Sequence, residues 1–264
     1  MRRPDRGAEP GRVRRRLIAL LAGMICLAPV AYLLLLSFAD RWAFPDLFPG
    51  GWRFDLQGAF SGSGALLESF LLSLGISSLV AFVSTLGGFV AARYVAYHRR
   101  RRALLFLAYL PFVMSPVILG ACIHYLYIRL ALAATTAGVI MAQTIFAFGF
   151  GIIFFMSFWN NERRAQEQAA MLLGARPWQR MRRVLLPMAR DLLLVCFLQT
   201  FLFSWFQYGL TVLIGGGTVR TLAVLVYVYI GEANTRYAAL SSLLLLVPPV
   251  LFLWANKRFV VRYL

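Results

Sequence analysis

The polar side chains that interrupt the apolar runs of this chain are the first candidates for chemistry. Gln143 and Thr144 fall in one run; Gln199, Thr200, Ser204 and Gln207 fall in another. Amides and hydroxyls offer donors and acceptors without formal charge, which suits hydrogen bonding to a polar solute or between helices. Thr200, Ser204 and Gln207 share a helix face, whereas Gln199 and Ser204 are only loosely co-facial. His124 lies in a further apolar run, where an ionisable group marks function by default. Pairing it with Ser157 or Ser204 would make an intramembrane hydrolase. Neither serine sits in a Gly-x-Ser-x signature, and a hydrogen-bonded packing histidine is the simpler reading. His98 belongs to the basic block His98–Arg102 and reads as topogenic. Neither a Gly-x4-Gly-Lys-Ser/Thr phosphate loop nor a His-Glu-x-x-His motif exists, and the sole lysine is Lys257. Cys26, Cys122 and Cys196 all fall in apolar runs without a Cys-x-x-Cys or Cys/His cluster, and read as small buried hydrophobes.

The elements that must carry these groups are long apolar helices. Hydrophobic residues make up 61% of the 264, against about 45–50% in soluble domains, and the mean hydropathy is +0.73. Six runs are long enough to cross a bilayer, at about 17–38, 67–92, 103–128, 138–158, 191–213 and 237–254. The first follows a basic tail, and its length points to an uncleaved signal-anchor. The fold class is therefore an all-α integral membrane protein with six transmembrane helices. The expected organisation is a basic tail 1–16, a membrane domain 17–254 and a tail 255–264. The segment Thr221–Ile230, bounded by glycines and too short to span, reads as a re-entrant or interfacial helix on the outer face. The outer loop Ala39–Gly64 carries Pro45, Pro49 and the interface anchors Trp42 and Trp52. Pro111 and Pro116 allow a kink in the third span.

The net charge of +17 would suggest nucleic acid in a soluble protein. Its distribution argues otherwise, so no nucleic-acid partner is expected. The tail 1–16, the 93–102 loop, the 159–190 loop and the tail 255–264 together hold 22 of the 27 basic residues. By the positive-inside rule these segments, and both termini, are cytoplasmic.

The 159–190 loop is an Arg-rich island. Its residues from about Glu162 to Leu173 lack Gly and Pro and continue a helical pattern. Gly174 suits the left-handed end of a helix, and Pro177 the first position of the next. A helix–turn–helix elbow results. Its sequence reads Gln168-Ala169-Ala170, three residues, Gly174, nine residues, Val184-Leu185-Leu186-Pro187.

That spacing resembles the cytoplasmic loop of permease subunits of binding-protein-dependent type I ABC importers: Glu-Ala-Ala, three residues, Gly, nine residues, Ile, one residue, Leu-Pro. The resemblance runs from about Leu66 to Trp254. FQYGLTVLIGGG and TLAVLVY look most like the polyamine, iron and thiamine group. The likeness implies that Gln168, Ala169, Ala170, Gly174, Leu186 and Pro187 dock the chain onto an ATPase dimer. It also implies a second permease, identical or homologous, an extracytoplasmic solute-binding protein, and location in a bacterial inner membrane. ATP would be used by the partner subunit, and this chain would need no cofactor and no metal. Gln143, Gln199, Thr200, Ser204 and Gln207 would line a solute path shared with the second permease, or else bond helices together. Three positions depart from the pattern. Gln168 stands where Glu is usual, although Glu167 precedes it; Leu173 stands where Asp is common; Arg176 stands where Ser often caps the second helix. The rival readings are an ion-coupled secondary transporter and an intramembrane hydrolase using His124.

Overall fold

A computed structural model of the chain describes residues 10–39, 50–52 and 64–260. Trp42, Pro45, Pro49 and the ends of both basic tails lie outside the described residues. Among the described residues eleven helices follow one another: α1 Pro10–Phe38, α2 Ala65–Tyr97, α3 Arg101–Val113, α4 Pro116–Arg129, α5 Thr136–Phe155, α6 Asn161–Leu172, α7 Pro177–Met188, α8 Arg190–Trp205, α9 Gly209–Gly215, α10 Leu222–Gly231 and α11 Thr235–Val260. Among the described residues no strand forms beyond one antiparallel bridge, Ala39 to Trp52.

Among the described residues, three helical stretches are individually long and apolar enough to cross a bilayer: α2, α5 and Thr235–Phe252 of α11. Counting the bent pairs α3–α4 and α7–α8 as one span each raises this to five. The apolar stretch Gly23–Phe38 of α1 is shorter.

Two expected spans are not continuous helices. The third bends by 101° between α3 and α4. Pro116 has no amide hydrogen and disfavours helical backbone in the residue before it, and Ser115 is extended, at φ −60° and ψ 143°. The fifth ends at Trp205 rather than 213, and α9 starts separately at Gly209. A Cβ on Gly209 would stand 2.7 Å from Val117 Cγ2, so this break lets α9 approach α4 closely. The short segment before the last span is helical, as α10, and Ser73 Oγ accepts the amide of Leu222 at its start, at 2.6 Å.

The chain divides into two units. One holds residues 1–62 and 226–247. Within it Arg236 Nε donates to the Ser37 carbonyl at 3.3 Å, and Tyr229 and Tyr237 have ring centroids 5.4 Å apart.

The other holds residues 63–225 and 248–264 and is built around α2. A buried row of small residues runs along that helix: Ser73, Ser77, Ala81, Ser84, Gly88 and Ala92. Spacings of three and four keep the row on one face. In lipid, helices gain little from leaving a solvent as apolar as themselves, so close backbone approach and dispersion must supply the association. The α2–α5 crossing shows this closeness. A Cβ on Gly151 would lie 2.6 Å from the Ser84 carbonyl oxygen, and one on Gly88 would lie 2.9 Å from the Gly151 backbone. Around the crossing, two apolar clusters form. One gathers Phe89, Phe155, Phe158 and Trp159 with Leu185, Ala189 and Cys196; the other gathers Ile76, Val80, Val139, Phe146, Leu210 and Ile214. Cys196 is buried as expected. Cys122 is exposed, a correction to its reading as a buried hydrophobe, because it lies on an unpacked face of α4.

Candidate docking elbow and transport path

The elbow rests on the first of these clusters. Trp159 is buried and donates from Nε1 to the Phe89 carbonyl at 3.1 Å, with the two rings 4.8 Å apart. This fixes the chain at the point where α5 ends. Asn160 then starts α6 as its cap, accepting the Arg163 amide at 3.0 Å. On one face of α6, Glu167 is buried and accepts from both Nε (3.2 Å) and Nη2 of Arg93, at the end of α2. Arg180 of α7 brings Nη1 to 3.9 Å from the same carboxylate. One acid thus ties the elbow's two arms to a membrane helix. A bidentate arginine contact of this kind fixes orientation as well as distance.

The opposite side of the elbow is apolar and bare. Leu172 and Leu173 are 86% and 88% exposed, and Trp178 is 69% exposed. Gln168 and Ala169 are exposed beside them, and Ala170 is half-buried. Gly174 has φ +80°, as a left-handed terminator requires, and a Cβ there would meet nothing within 4 Å. The demand for glycine at 174 is therefore conformational rather than steric. Pro177 begins α7, and in place of a side-chain cap from Arg176, Gln179 Oε1 accepts the Arg176 amide at 2.9 Å. Residues 181–185 form a π turn in which the Leu186 amide reaches the Met181 carbonyl. Pro187 cannot supply the amide that would ordinarily bond residue 183, so the turn widens just before it. Leu186 and Pro187 are exposed, while Leu185 anchors the motif in the core at 1% exposure. The elbow meets α8 at a bend of 75°.

The polar span residues separate into two sets. Gln143, buried in α5, donates from Nε2 to Thr211 Oγ1 at 2.9 Å and accepts from Ser204 Oγ. Thr211 in turn donates to the Gln207 carbonyl at 2.7 Å. Thr200 is buried, donates to the Cys196 carbonyl at 2.8 Å and lies 3.4 Å from Thr85 Oγ1 of α2. Gln143, Thr200 and Ser204 thus join α5, α8, α9 and α2 inside the bundle. Gln199 is exposed and Gln207 half-buried. Gln199 stands at a cleft of about 280 Å³ between α3, α5 and α8, whose other walls include Phe112, Phe146, Phe150 and Phe203. Among the described residues Thr144 bonds only the carbonyl four residues back, Ile140, at 2.7 Å. His124 is half-buried in α4 with Nδ1 unpartnered among the described residues, and Ser157 Oγ donates to the Phe154 carbonyl at 3.0 Å.

Sequence reading missed Thr211 and Arg93. Thr211 sits four residues after Gln207, a spacing that could have placed it on the same face. In the sequence Arg93 reads only as topogenic charge, because nothing in one sequence pairs it with residue 167. Among the described residues no group of three His, Cys, Asp or Glu could hold a metal.

Known proteins resemble the chain along most of its length. The diacetylchitobiose uptake system permease protein NgcG of Streptomyces coelicolor is 26% identical over 249 residues, covering 90% of this chain and 82% of its own. The putrescine transport system permease protein PotI of Escherichia coli K12 is 28% identical over 246 residues, covering 87% and 85%. The molybdenum transport system permease protein ModB of Mycobacterium tuberculosis is 28% identical over 207 residues, covering 72% and 78%. A crystal structure of a bacterial ABC transporter involved in import of the acidic polysaccharide alginate has a chain of the same fold. Its TM-score is 0.69 at 17% identity, covering 94% of this chain and 96% of that one. Residues 84–262 match the family described as binding-protein-dependent transport system inner membrane component. The chain belongs to that family and is a multi-pass inner-membrane permease subunit of an ABC importer.

Proposed function

We propose that the 159–190 elbow is the surface through which this permease receives mechanical work from a separate ATPase. The observation that carries the reading is the division of the elbow into two faces. Glu167 pins one to α2, and the other presents Leu172, Leu173 and Trp178 to solvent. Exposed large apolar groups clustered on a rigid projection are what a partner groove would cover. Gln168, Ala169 and Ala170 line the approach, small enough at 169 and 170 for close contact. Gly174 sets the angle between the arms, and Leu186-Pro187 joins them to α8. The chain itself hydrolyses no ATP and carries no cofactor; ATP belongs to an ATPase dimer. A second permease, identical or homologous, completes the pathway, and an extracytoplasmic solute-binding protein delivers the solute.

The proposed topology is six spans with both termini cytoplasmic, within the organisation 1–16, 17–254 and 255–264. Its support is the arginine distribution, and cysteine labelling from outside tests it: a cysteine at Gly62 should react and one at Gln179 should not. For the path, we assign solute contact to Gln199 and Gln207, whose side chains stay accessible. Gln143, Thr200 and Ser204 hold the wall behind them. The aromatic cleft beside Gln199 would be closed by the second permease. Co-purification of the ATPase with elbow variants tests the docking claim directly.

A further inference from the structure

We propose that a basic cleft at the junction of α2, α3, α5 and α6 binds the phosphate headgroup of an anionic membrane lipid. The cleft has a volume of about 460 Å³ and is lined by Tyr97, His98, Arg99, Arg101, Asn160 and Arg164, among others. That volume falls in the range of small-molecule sites, about 300–1,000 Å³. Three arginines, a histidine and two asparagines line it, and among the described residues no carboxylate does. Among the described residues Arg99, Arg101 and Arg164 make no ion pair. The buried acid on α6, Glu167, is already engaged by Arg93 and Arg180. A lining rich in cationic donors and free of acids suits a phosphate.

The walls are built rather than loose. The Arg164 guanidinium lies over the Tyr97 ring, 5.3 Å from its centroid. Tyr97 donates from its hydroxyl to the Asn160 carbonyl at 3.4 Å, and Trp159 behind it is fixed by its bond to Phe89. Apolar Ala96, Met156 and Trp159 share the cleft with the charged groups. Such a mixture fits a headgroup with its glycerol and first acyl carbons better than a free ion. The cleft also lies where α2 and α5 end, which puts it at the membrane boundary. Retention of positive charge in the cytoplasm explains how many arginines the His98–Arg102 block holds. It does not explain why Arg99 and Arg101 line a cleft while Arg100 and Arg102 do not.

The inference rests on the proposed cytoplasmic placement of this region. Labelling at Gln179 tests that placement, whereas binding in detergent does not depend on sidedness, so the two can fail separately. The full chain, extracted with its co-purifying subunits, is titrated with phosphatidylglycerol, with phosphatidylcholine of the same acyl chains, and with inorganic phosphate, and read by native mass spectrometry. Phosphatidylglycerol should be retained and phosphatidylcholine lost. Replacing Arg99, Arg101 and Arg164 together by Gln should weaken retention on the order of a hundredfold, about fivefold per guanidinium. The same three positions as Lys should keep most of it, and Arg100→Gln with Arg102→Gln should change it less than twofold. If the triple Gln variant does not extract as a monodisperse protein, Arg164→Gln on its exposed residue carries the comparison, with about a fivefold loss. Equal retention of both lipids, or equal loss in the Arg100/Arg102 variant, would overturn the site. Displacement by an equal concentration of inorganic phosphate would overturn the lipid assignment. Exclusion of lipid by a bound ATPase would show the cleft to be a protein interface instead.

Discussion

Removing the Glu167 carboxylate should release the elbow at its base. Glu167→Ala deletes both guanidinium contacts of Arg93 and leaves Arg180 without its nearby acid. The Arg180 side chain is only 14% exposed, and among the described residues its Nε already lacks a partner. Breaking a buried ion pair costs about 3–5 kcal/mol because the surviving charge stays buried. The Arg93 side chain, however, is 37% exposed, so water replaces part of what it loses. A net cost of about 2–3 kcal/mol follows, roughly 30- to 150-fold in the equilibrium between seated and released elbow. Hydrogen exchange reads this equilibrium directly. Amides of α6 should lose protection by about that factor, while those in the middle of α2 and α5 stay unchanged. Glu167→Gln, which keeps an acceptor but no charge, should fall between. A double-mutant cycle with Arg93→Ala should give a coupling of about 1–3 kcal/mol. Unchanged α6 exchange in Glu167→Ala, or a coupling near zero, would refute the claim that this pair seats the elbow.

Further outcomes are expected elsewhere in the chain. Gly174→Val should insert normally yet transport poorly or lose its ATPase, because a β-branched residue at φ +80° is strained by about 1–3 kcal/mol; co-purification and uptake measure it. Gln168→Glu should leave uptake intact or tighten ATPase retention modestly in the same assay. Gly151→Val should lower the unfolding temperature in detergent, since its side chain would collide with the Ser84 backbone and overpacking costs about 1–3 kcal/mol. Gln143→Leu should also destabilise, by about 1–3 kcal/mol, by stranding Ser204 and Thr211. Gln199→Ala should change the KM for uptake and leave thermal stability alone; a stability loss without a KM change would reverse the assignment of wall and path.

What could be read from the sequence was whatever has a local cause. Apolar run length marked the bundle, and Gly174 and Pro177 marked the elbow because a left-handed terminator and a first-turn proline act within a few residues of themselves. The bend at Ser115 was foreshadowed by Pro111 and Pro116, but its size was not, since a proline permits a bend that only packing against α5 and α9 fixes. Nor did the break after Trp205 announce itself. Its apolar text continues into α9, and the reason for stopping is the approach of Gly209 to Val117 on another helix. The polar residues were found by type, while their division into buried wall and accessible surface depends on which face each helix turns inward. The small residues of α2 recur at spacings of three and four, a packing signal that is local and legible. The Glu167–Arg93 pair joins positions far apart in the chain, and no spacing rule reaches that far.

In the proposed complex the bare apolar side of the elbow holds the ATPase. Leu172→Glu with Leu173→Glu tests it most directly, because both side chains are more than four-fifths exposed and touch little within the chain. The tagged permease and its variant are extracted in mild detergent, and the ATPase recovered with each is quantified against the permease. Permease yield should be equal, and the ATPase recovered with the variant should fall by about tenfold or more, since burying two charges in an apolar interface is costly. Recovery of ATPase at the parent's ratio, with solute uptake intact, would contradict it.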